Sequence, residues 1–200
     1  MKKLSLMAVL LLAASAMYAQ RSTTHFGIKA GVNLANLEIE NRPDGDHRTG
    51  FHVGGLAHIH VSPHFAVQPE LVFSTQGREQ EIGGVNYRAN LNYINLPVLA
   101  QYMAGGGFRL ETGPQLGILV SAKSKAGSAE SDVKNNYKTP DVSWAFGAGY
   151  LTDVGLGFDA RYNLGLSNIN DAGGEKIQNR VWQIGVFYQF MHNPAHRSRR

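Results

Sequence analysis

One stretch near the C-terminus constrains the fold more than any other part of the chain. Between residues 181 and 190 the side chains alternate, so that one face is wholly apolar and the other is mostly small or polar. A period of two indicates a β-strand, because successive side chains leave a strand on opposite faces. The apolar face ends in Tyr188 and Phe190, which is typical of a strand that faces lipid. A soluble antiparallel strand can share this pattern.

Seven earlier stretches alternate in the same way and bring the number of predicted strands to eight. They cover residues 25–37, 50–61, 65–75, 91–103, 108–120, 141–151 and 154–166. Each is long enough to cross a bilayer as a tilted strand, which takes ~9–11 residues. The connections are alternately long and short, as in an up-and-down barrel with long loops outside the cell and short turns in the periplasm.

An even number of strands places both chain ends on the periplasmic side. An open sheet edge would leave backbone N–H and C=O groups unpaired in lipid, so the first and last strands must pair. The sequence therefore predicts an all-β fold, an eight-stranded antiparallel up-and-down transmembrane β-barrel. The mean hydropathy of -0.22 by itself indicates a soluble protein, but it does not exclude a membrane barrel, because the polar inner face of a barrel offsets its apolar outer face.

The two ends of the chain differ in composition from the predicted barrel. Lys2 and Lys3 precede an apolar run that is too short to span a bilayer, and small residues follow it. Residues 1–19 are therefore predicted to be a secretory signal peptide, residues 20–190 the barrel, and residues 191–200 a basic periplasmic tail. The chain has no Cys, which excludes disulfides, thiolate metal sites and a cysteine nucleophile.

Four segments resemble a known family of barrels. Residues 27–34, 68–74, 91–99 and 147–150 are similar to the small outer-membrane β-barrel proteins of Bacteroidetes-type bacteria, the PorT-like or "porin family" barrels. The resemblance implies a location in the outer membrane of a Gram-negative bacterium. The terminal strand also looks like the signal that the outer-membrane assembly machinery reads, and this machinery is therefore a predicted partner. The signal residues are Gln183, Gly185, Tyr188 and Phe190.

Six charged residues fall on the inward face of the predicted strands. They are Lys29, Glu70, Arg109, Glu111, Asp159 and Arg161. An eight-stranded barrel is only wide enough inside for side chains, and buried charges need partners. With three cations and three anions, these residues are predicted to form a balanced ion-pair network that fills the lumen. A polar conduit or a luminal binding site is the alternative.

Nothing in the sequence marks an enzyme, a cofactor site or a metal site. His52, His58 and His60 share one face of the second strand, but same-face neighbours lie roughly 6.6 Å apart, so one metal ion would require the side chains to lean together. They are predicted to be polar residues of the lumen or its periplasmic rim. The net charge of +4 comes with no nucleic-acid recognition motif, so nucleic-acid binding is not predicted either.

The four long connections are the predicted place for any specific function, because binding usually resides in loops on a rigid scaffold. They cover residues 38–49, 76–90, 121–140 and 167–178. The leading prediction is a monomeric barrel that stabilises the envelope or binds through these loops, in contact with outer-membrane lipid and lipopolysaccharide. One alternative is a transport or secretion accessory barrel, as the PorT-like resemblance implies. The other is a soluble, exported, lipocalin-like binder, whose apolar faces would line a cavity.

Overall fold

A computed structural model describes residues 24–41, 45–127 and 129–190. These ranges contain nine strands and one short 3-10 helix, Lys134–Asn136. The strands are β1 Thr24–Ile39, β2 Asp46–His60, β3 Phe65–Ile82, β4 Val85–Gly105, β5 Phe108–Ala126, β6 Ala129–Asp132, β7 Pro140–Leu151, β8 Leu156–Gly165 and β9 Ile177–Gln189. No helix in the described ranges is long and apolar enough to cross a bilayer. The predicted signal peptide and the predicted basic tail lie outside these ranges.

Eight of the strands close into a ring. Every neighbouring pair is antiparallel, and the order around the ring is β1–β2–β3–β4–β5–β7–β8–β9. The ring closes between the first and the last strand, from Gly27 opposite Gln189 to Ile39 opposite Ile177. The predicted eight-stranded antiparallel up-and-down barrel is therefore confirmed. The ninth strand, β6, pairs only with β5 and lies outside the ring.

The apolar faces of the strands point outward. Trp182, for example, is 51% exposed at the barrel surface, while its strand neighbours Val181 and Gln183 are buried inside. The same alternation runs along the other strands of the ring, so the outer belt is apolar and the central lumen is polar. This arrangement is the reverse of the one that the lipocalin-like alternative requires, in which apolar faces line an internal cavity.

Two of the predicted connections are paired strands instead. Residues 76–90 form the ends of β3 and β4, joined at Gly83 and Gly84, which have φ values of 60° and 79°. The left-handed backbone of this turn suits glycine, which has no Cβ to clash. Likewise, β5 continues to Ala126 and pairs with β6. The sequence pattern does not show these extensions, because outside a membrane both faces of a strand meet water and the apolar–polar alternation disappears.

The short turns mark the periplasmic end of the barrel and the long connections mark its outer end. Buried apolar residues gather inside the outer end, above the polar middle of the lumen. This cluster consists of Leu37, Leu91, Tyr93, Leu119, Ala122 and Ile169. The outer end of the lumen therefore holds the main apolar cluster and the middle of the lumen holds the charged side chains. The separation is not complete, because Leu56 and Leu99 are buried towards the periplasm and Asp141 and Asn179 are buried towards the outside.

Candidate functional site

Arg161 of β8 is the residue that connects the charged side chains of the lumen. Its guanidinium donates two hydrogen bonds of 3.0 Å to the carboxylate of Glu70 on β3, and its Nε donates a third, of 2.8 Å, to Glu111 on β5. Arg161 is 2% exposed, and the side chains of both carboxylates are buried as well. A two-pronged bond of this kind fixes geometry as well as charge. One side chain thus joins three strands across the interior of the barrel.

Lys29 of β1 extends this cluster. Its Nζ donates to Oδ2 of Asp159 at 2.7 Å and lies 3.5 Å from Oε2 of Glu70. Asp159 Oδ2 is also 3.6 Å from Arg161 Nη2, so the groups form one continuous set of ion pairs. The structure therefore brings together five of the six predicted luminal charges, two cations and three anions. We call these five residues the charge cluster: Lys29, Glu70, Glu111, Asp159 and Arg161.

Arg109, the sixth predicted luminal charge, lies apart from the charge cluster. It is 4% exposed, and within the described part of the chain it makes no ion pair and no side-chain hydrogen bond. Its guanidinium carbon lies 5.2 Å from the ring centre of Phe187 on β9, in the position of a cation–π contact. The sequence predicted only that this residue points inward, and the structure places it there without one of the three carboxylates as a direct partner.

Amide side chains form a second luminal network that the sequence reasoning missed. The side-chain oxygen of Asn33, Oδ1, accepts a hydrogen bond of 3.1 Å from Gln183 and lies 2.8 Å from Nδ1 of His52. Its side-chain nitrogen, Nδ2, donates to the hydroxyl of Ser74 at 3.0 Å. Asn163 donates to Gln183 at 2.9 Å. The signal was present in the sequence, because all of these polar residues occupy inward positions of alternating strands. They were missed because charge alone was used to select luminal residues.

The outer end of the lumen is closed by loop residues that fold inward. Ile169, from the connection between β8 and β9, is completely buried against Leu91, Tyr93 and Leu119. Its backbone carbonyl accepts a hydrogen bond from Lys138, and its N–H donates to Ile177. Tyr137 packs against the same cluster, and its burial raises the pKa of its hydroxyl above the ordinary value. Two loop residues, Ile169 and Tyr137, thus complete a cluster of strand residues inside the outer end of the barrel. We call it the apolar cap: Leu37, Leu91, Tyr93, Leu119, Ala122, Tyr137 and Ile169.

Three histidines lie together at the periplasmic end of the lumen. The ring centres of His58 and His60 are 4.6 Å apart, and those of His25 and His60 are 5.7 Å apart. His25 and His58 face each other directly across β1 and β2. The described residues contain no group of three or more His, Asp or Glu side chains that could hold a metal ion together.

The four residues of the predicted assembly signal fall on both faces of the end of the chain's last strand. Gln183 and Gly185 point into the lumen, whereas Tyr188 and Phe190 lie on the outer surface with their rings 5.6 Å apart. The N–H of Phe190 donates to the carbonyl of Phe26 at 2.7 Å and fastens the strand end to β1. Recognition by the assembly machinery stays a prediction.

Comparisons with known proteins agree on the architecture. The model of the outer membrane protein β-barrel domain family matches residues 18–171. Neisserial surface protein A superimposes with a TM-score of 0.59 at 14% identity, covering 82% of this chain and 97% of that one. Ail, the attachment invasion locus protein of Yersinia pestis, gives 0.51 at 16% identity, covering 83% of this chain and 98% of that one.

A search of curated proteins gave no match. These findings do not separate the PorT-like barrels from other small barrels, and the likeness to the two solved structures concerns the fold. The family match covers more than half of the sequence, including seven of the eight strands of the ring. The chain therefore belongs to the outer membrane protein β-barrel domain family and resides in the outer membrane of a Gram-negative bacterium.

Proposed function

We propose that this protein is a closed barrel that conducts no solutes and acts through the surface that it presents outside the cell. The observation that carries the proposal is the double obstruction of the lumen. The charge cluster fills the middle of the barrel, and the apolar cap fills its outer end. An eight-stranded ring leaves room inside for side chains and little more.

Each obstruction opposes the passage of solutes for a different physical reason. A solute crossing the charge cluster would have to separate Arg161 from Glu70 and Glu111, and breaking a buried pair costs about 3–5 kcal/mol. An ion crossing the apolar cap would lose its water among buried apolar side chains, and the polar groups at this level, those of Tyr93, Asn179 and Asp141, are already bonded to each other. A transport role, the alternative that the PorT-like resemblance implies, would require both layers to rearrange.

The outer surface has a feature suited to binding. The three neighbouring strands β3, β4 and β5 contain 18, 21 and 19 residues, whereas β8 contains 10. Since ~9–11 residues cross the bilayer, roughly seven to twelve residues of each long strand remain, and at ~3.3 Å per residue they extend about 23–40 Å along the strand. We call the part formed by residues 76–90 and 121–132 the projecting sheet. It stands above the rest of the outer rim.

Backbone pairing holds the strands of the projecting sheet together, and exposed ion pairs lie across it. Lys123 and Lys125 both contact Glu130 across the β5–β6 pair, at 2.6 and 2.7 Å, and Arg88 pairs with Glu79 across β3 and β4. Hydrogen bonds from the two lysines lower the pKa of Glu130 to about 2. A sheet with its strands fixed in this way offers a preformed contact surface, which lowers the entropic cost of binding. Contact of these residues with lipopolysaccharide stays a prediction.

Planar-bilayer recording tests the closed lumen. Purified, folded barrel inserted into a bilayer is expected to give no stepwise conductance, with a mock preparation in the same detergent as the baseline. Insertion is verified separately by protease protection of the barrel in vesicles of the same lipid. Regular conductance steps that depend on the protein concentration would contradict the proposal and favour the transport alternative.

A further inference from the structure

Arg109 and its surroundings have no role in the closed lumen or in the outer surface. From these residues we infer that the periplasmic end of the lumen is a binding site for a small anion of the phosphate type. We call this region the periplasmic mouth and define it by Arg109, His25, His58, His60 and Gln189. The inference concerns the opposite end of the barrel from the projecting sheet and does not depend on the proposed function.

The first reason is the state of the Arg109 guanidinium. Its Nε and Nη1 are buried, and neither has a hydrogen-bond acceptor within the described residues. Buried polar groups are normally hydrogen-bonded, and buried charges are normally paired. Two carboxylates, Glu111 and Asp159, interact electrostatically with Arg109. Both already accept hydrogen bonds from other residues: Glu111 from Gln101 and Arg161, and Asp159 from Lys29. The guanidinium thus has donors available and no protein partner for them.

The second reason is that further donors face the same space from other strands. His58 is 1% exposed, and its Nδ1 has no hydrogen-bond partner in the described part of the chain. It interacts electrostatically with Arg109, and the side-chain oxygens of Gln68 and Gln101, which interact with it, also lack a hydrogen-bond donor in the described part of the chain. Gln189, 3% exposed, has an unpartnered Nε2, and it follows Phe187, the ring beneath Arg109, on the same inward face.

The chemistry of these groups selects the ligand class. A guanidinium presents its N–H donors in a planar fork that fits the oxygens of phosphate-type anions. A neutral imidazole supplies one N–H donor without taking up a proton, and an amide supplies two. The carboxylates that interact electrostatically with Arg109, Glu111 and Asp159, are already engaged by other donors, so the free donors of the guanidinium remain available to an anion. The narrow lumen limits the ligand to a single oxyanion group.

The anion has two possible sources, which share this chemistry. Free inorganic phosphate reaches the mouth from the periplasm, and a phospholipid of the inner leaflet can place its phosphate at the same end of the barrel. Isothermal titration calorimetry on the full-length barrel separates them. The protein is folded in a maltoside detergent, which contains no phosphate, and is titrated with inorganic phosphate and, separately, with a short-chain phosphatidic acid.

Saturable binding of either probe by the wild type is expected, together with an at least tenfold loss of affinity in Arg109→Gln. The matched control is Arg180→Gln, which removes an arginine that pairs with Glu38 at the outer end of the barrel, and it should leave the affinity unchanged. Binding of both probes supports a general phosphate site, and binding of phosphatidic acid alone identifies lipid as the source. Absence of binding by the wild type, or equal binding by Arg109→Gln, overturns the inference.

A second variant keeps the test decisive if Arg109→Gln does not fold. Folding is checked by the difference in gel migration between boiled and unboiled samples. His58→Asn preserves a polar side chain of smaller size and is expected to weaken binding several-fold, because one of the donors of the mouth is displaced. Unchanged affinity in a folded His58→Asn variant would count against the mouth as the binding site.

Discussion

Replacing Arg161 with methionine should destabilise the barrel more than any other single loss of charge in the lumen. Methionine is flexible, apolar and shorter than arginine, so the change leaves Glu70 and Glu111 buried without their main partner. Such an unpaired carboxylate is expensive, because burial removes its water and nothing replaces it. The expected result is a folded but much less stable barrel.

The magnitude follows from the contacts of the guanidinium. Arg161 donates three charge-assisted hydrogen bonds of 2.8, 3.0 and 3.0 Å, and at about 1.5–3 kcal/mol each their upper limit is about 4.5–9 kcal/mol. Part of this is retained, because Lys29 stays 3.5 Å from Glu70 and Gln101 still donates to Glu111 at 2.9 Å. We therefore expect a loss of about 3–5 kcal/mol, the range for breaking a buried pair.

Urea unfolding in phospholipid vesicles measures this loss. Trp144 and Trp182 lie on the outer surface, so their fluorescence reports the departure of the strands from lipid. The midpoint should fall while the urea dependence of the unfolding free energy stays the same. Lys125→Met, which breaks an exposed pair with Glu130, is the control and should have a far smaller effect.

A double variant separates loss of the ion pair from general damage. In Arg161→Met combined with Glu70→Gln the carboxylate is neutral, so part of the stability should return, with a coupling of about 0.5–3 kcal/mol as found for directly contacting residues. The reasoning is refuted if Arg161→Met shifts the midpoint no more than Lys125→Met does. It is refuted equally if the two luminal substitutions are additive.

Two further predictions concern a glycine of the lumen and the projecting sheet. A Cβ at Gly185 would lie 2.9 Å from the carbonyl oxygen of Ala30 and from Oδ1 of Asp159, so Gly185→Ala should cost about 1–3 kcal/mol by overpacking. Gly55→Ala, where the nearest atom would be 3.7 Å away, should be close to neutral in the same urea experiment. Shortening the projecting sheet by replacing residues 80–87 with Asn-Gly should leave the gel migration shift intact, since these residues lie outside the lumen. Cells with this variant should reproduce the phenotype of cells that lack the protein, and a normal phenotype would contradict an outer-surface function.

The part of the fold that lies in lipid could be predicted from the sequence, because there the two faces of each strand meet different solvents. The stretch 181–190 and its seven counterparts are therefore visible as alternation, and closure follows from the absence of water in the bilayer. Outside the bilayer this contrast ends. The pairing of residues 76–90 and the extra strand β6 were missed for that reason.

The candidate site was predictable in its residue types and not in its partners. Alternation identifies Lys29 or Arg109 as inward-facing, but the choice of partner depends on the stagger between strands across the lumen. That stagger brings Arg161 to Glu70, which is 91 residues away in sequence, and leaves Arg109 beside Phe187. The inward fold of Ile169 is likewise a tertiary effect, because one isoleucine in a polar loop carries no periodic signal.

The arrangement of side chains along the barrel axis separates the part of the protein that is accessible from outside the cell from the part that faces the periplasm. Seen from outside, the barrel ends in an apolar cap, so a ligand arriving there meets only the outer loops and the projecting sheet. On the periplasmic side, Arg109 lies one strand pair from the short turn at residues 105–107, between the periplasm and the charge cluster. Because Arg161 ties three strands together between these ends, a change at one end has no obvious route to the other. Arg109→Gln should therefore leave outer-surface behaviour intact, and shortening the projecting sheet should leave anion binding intact.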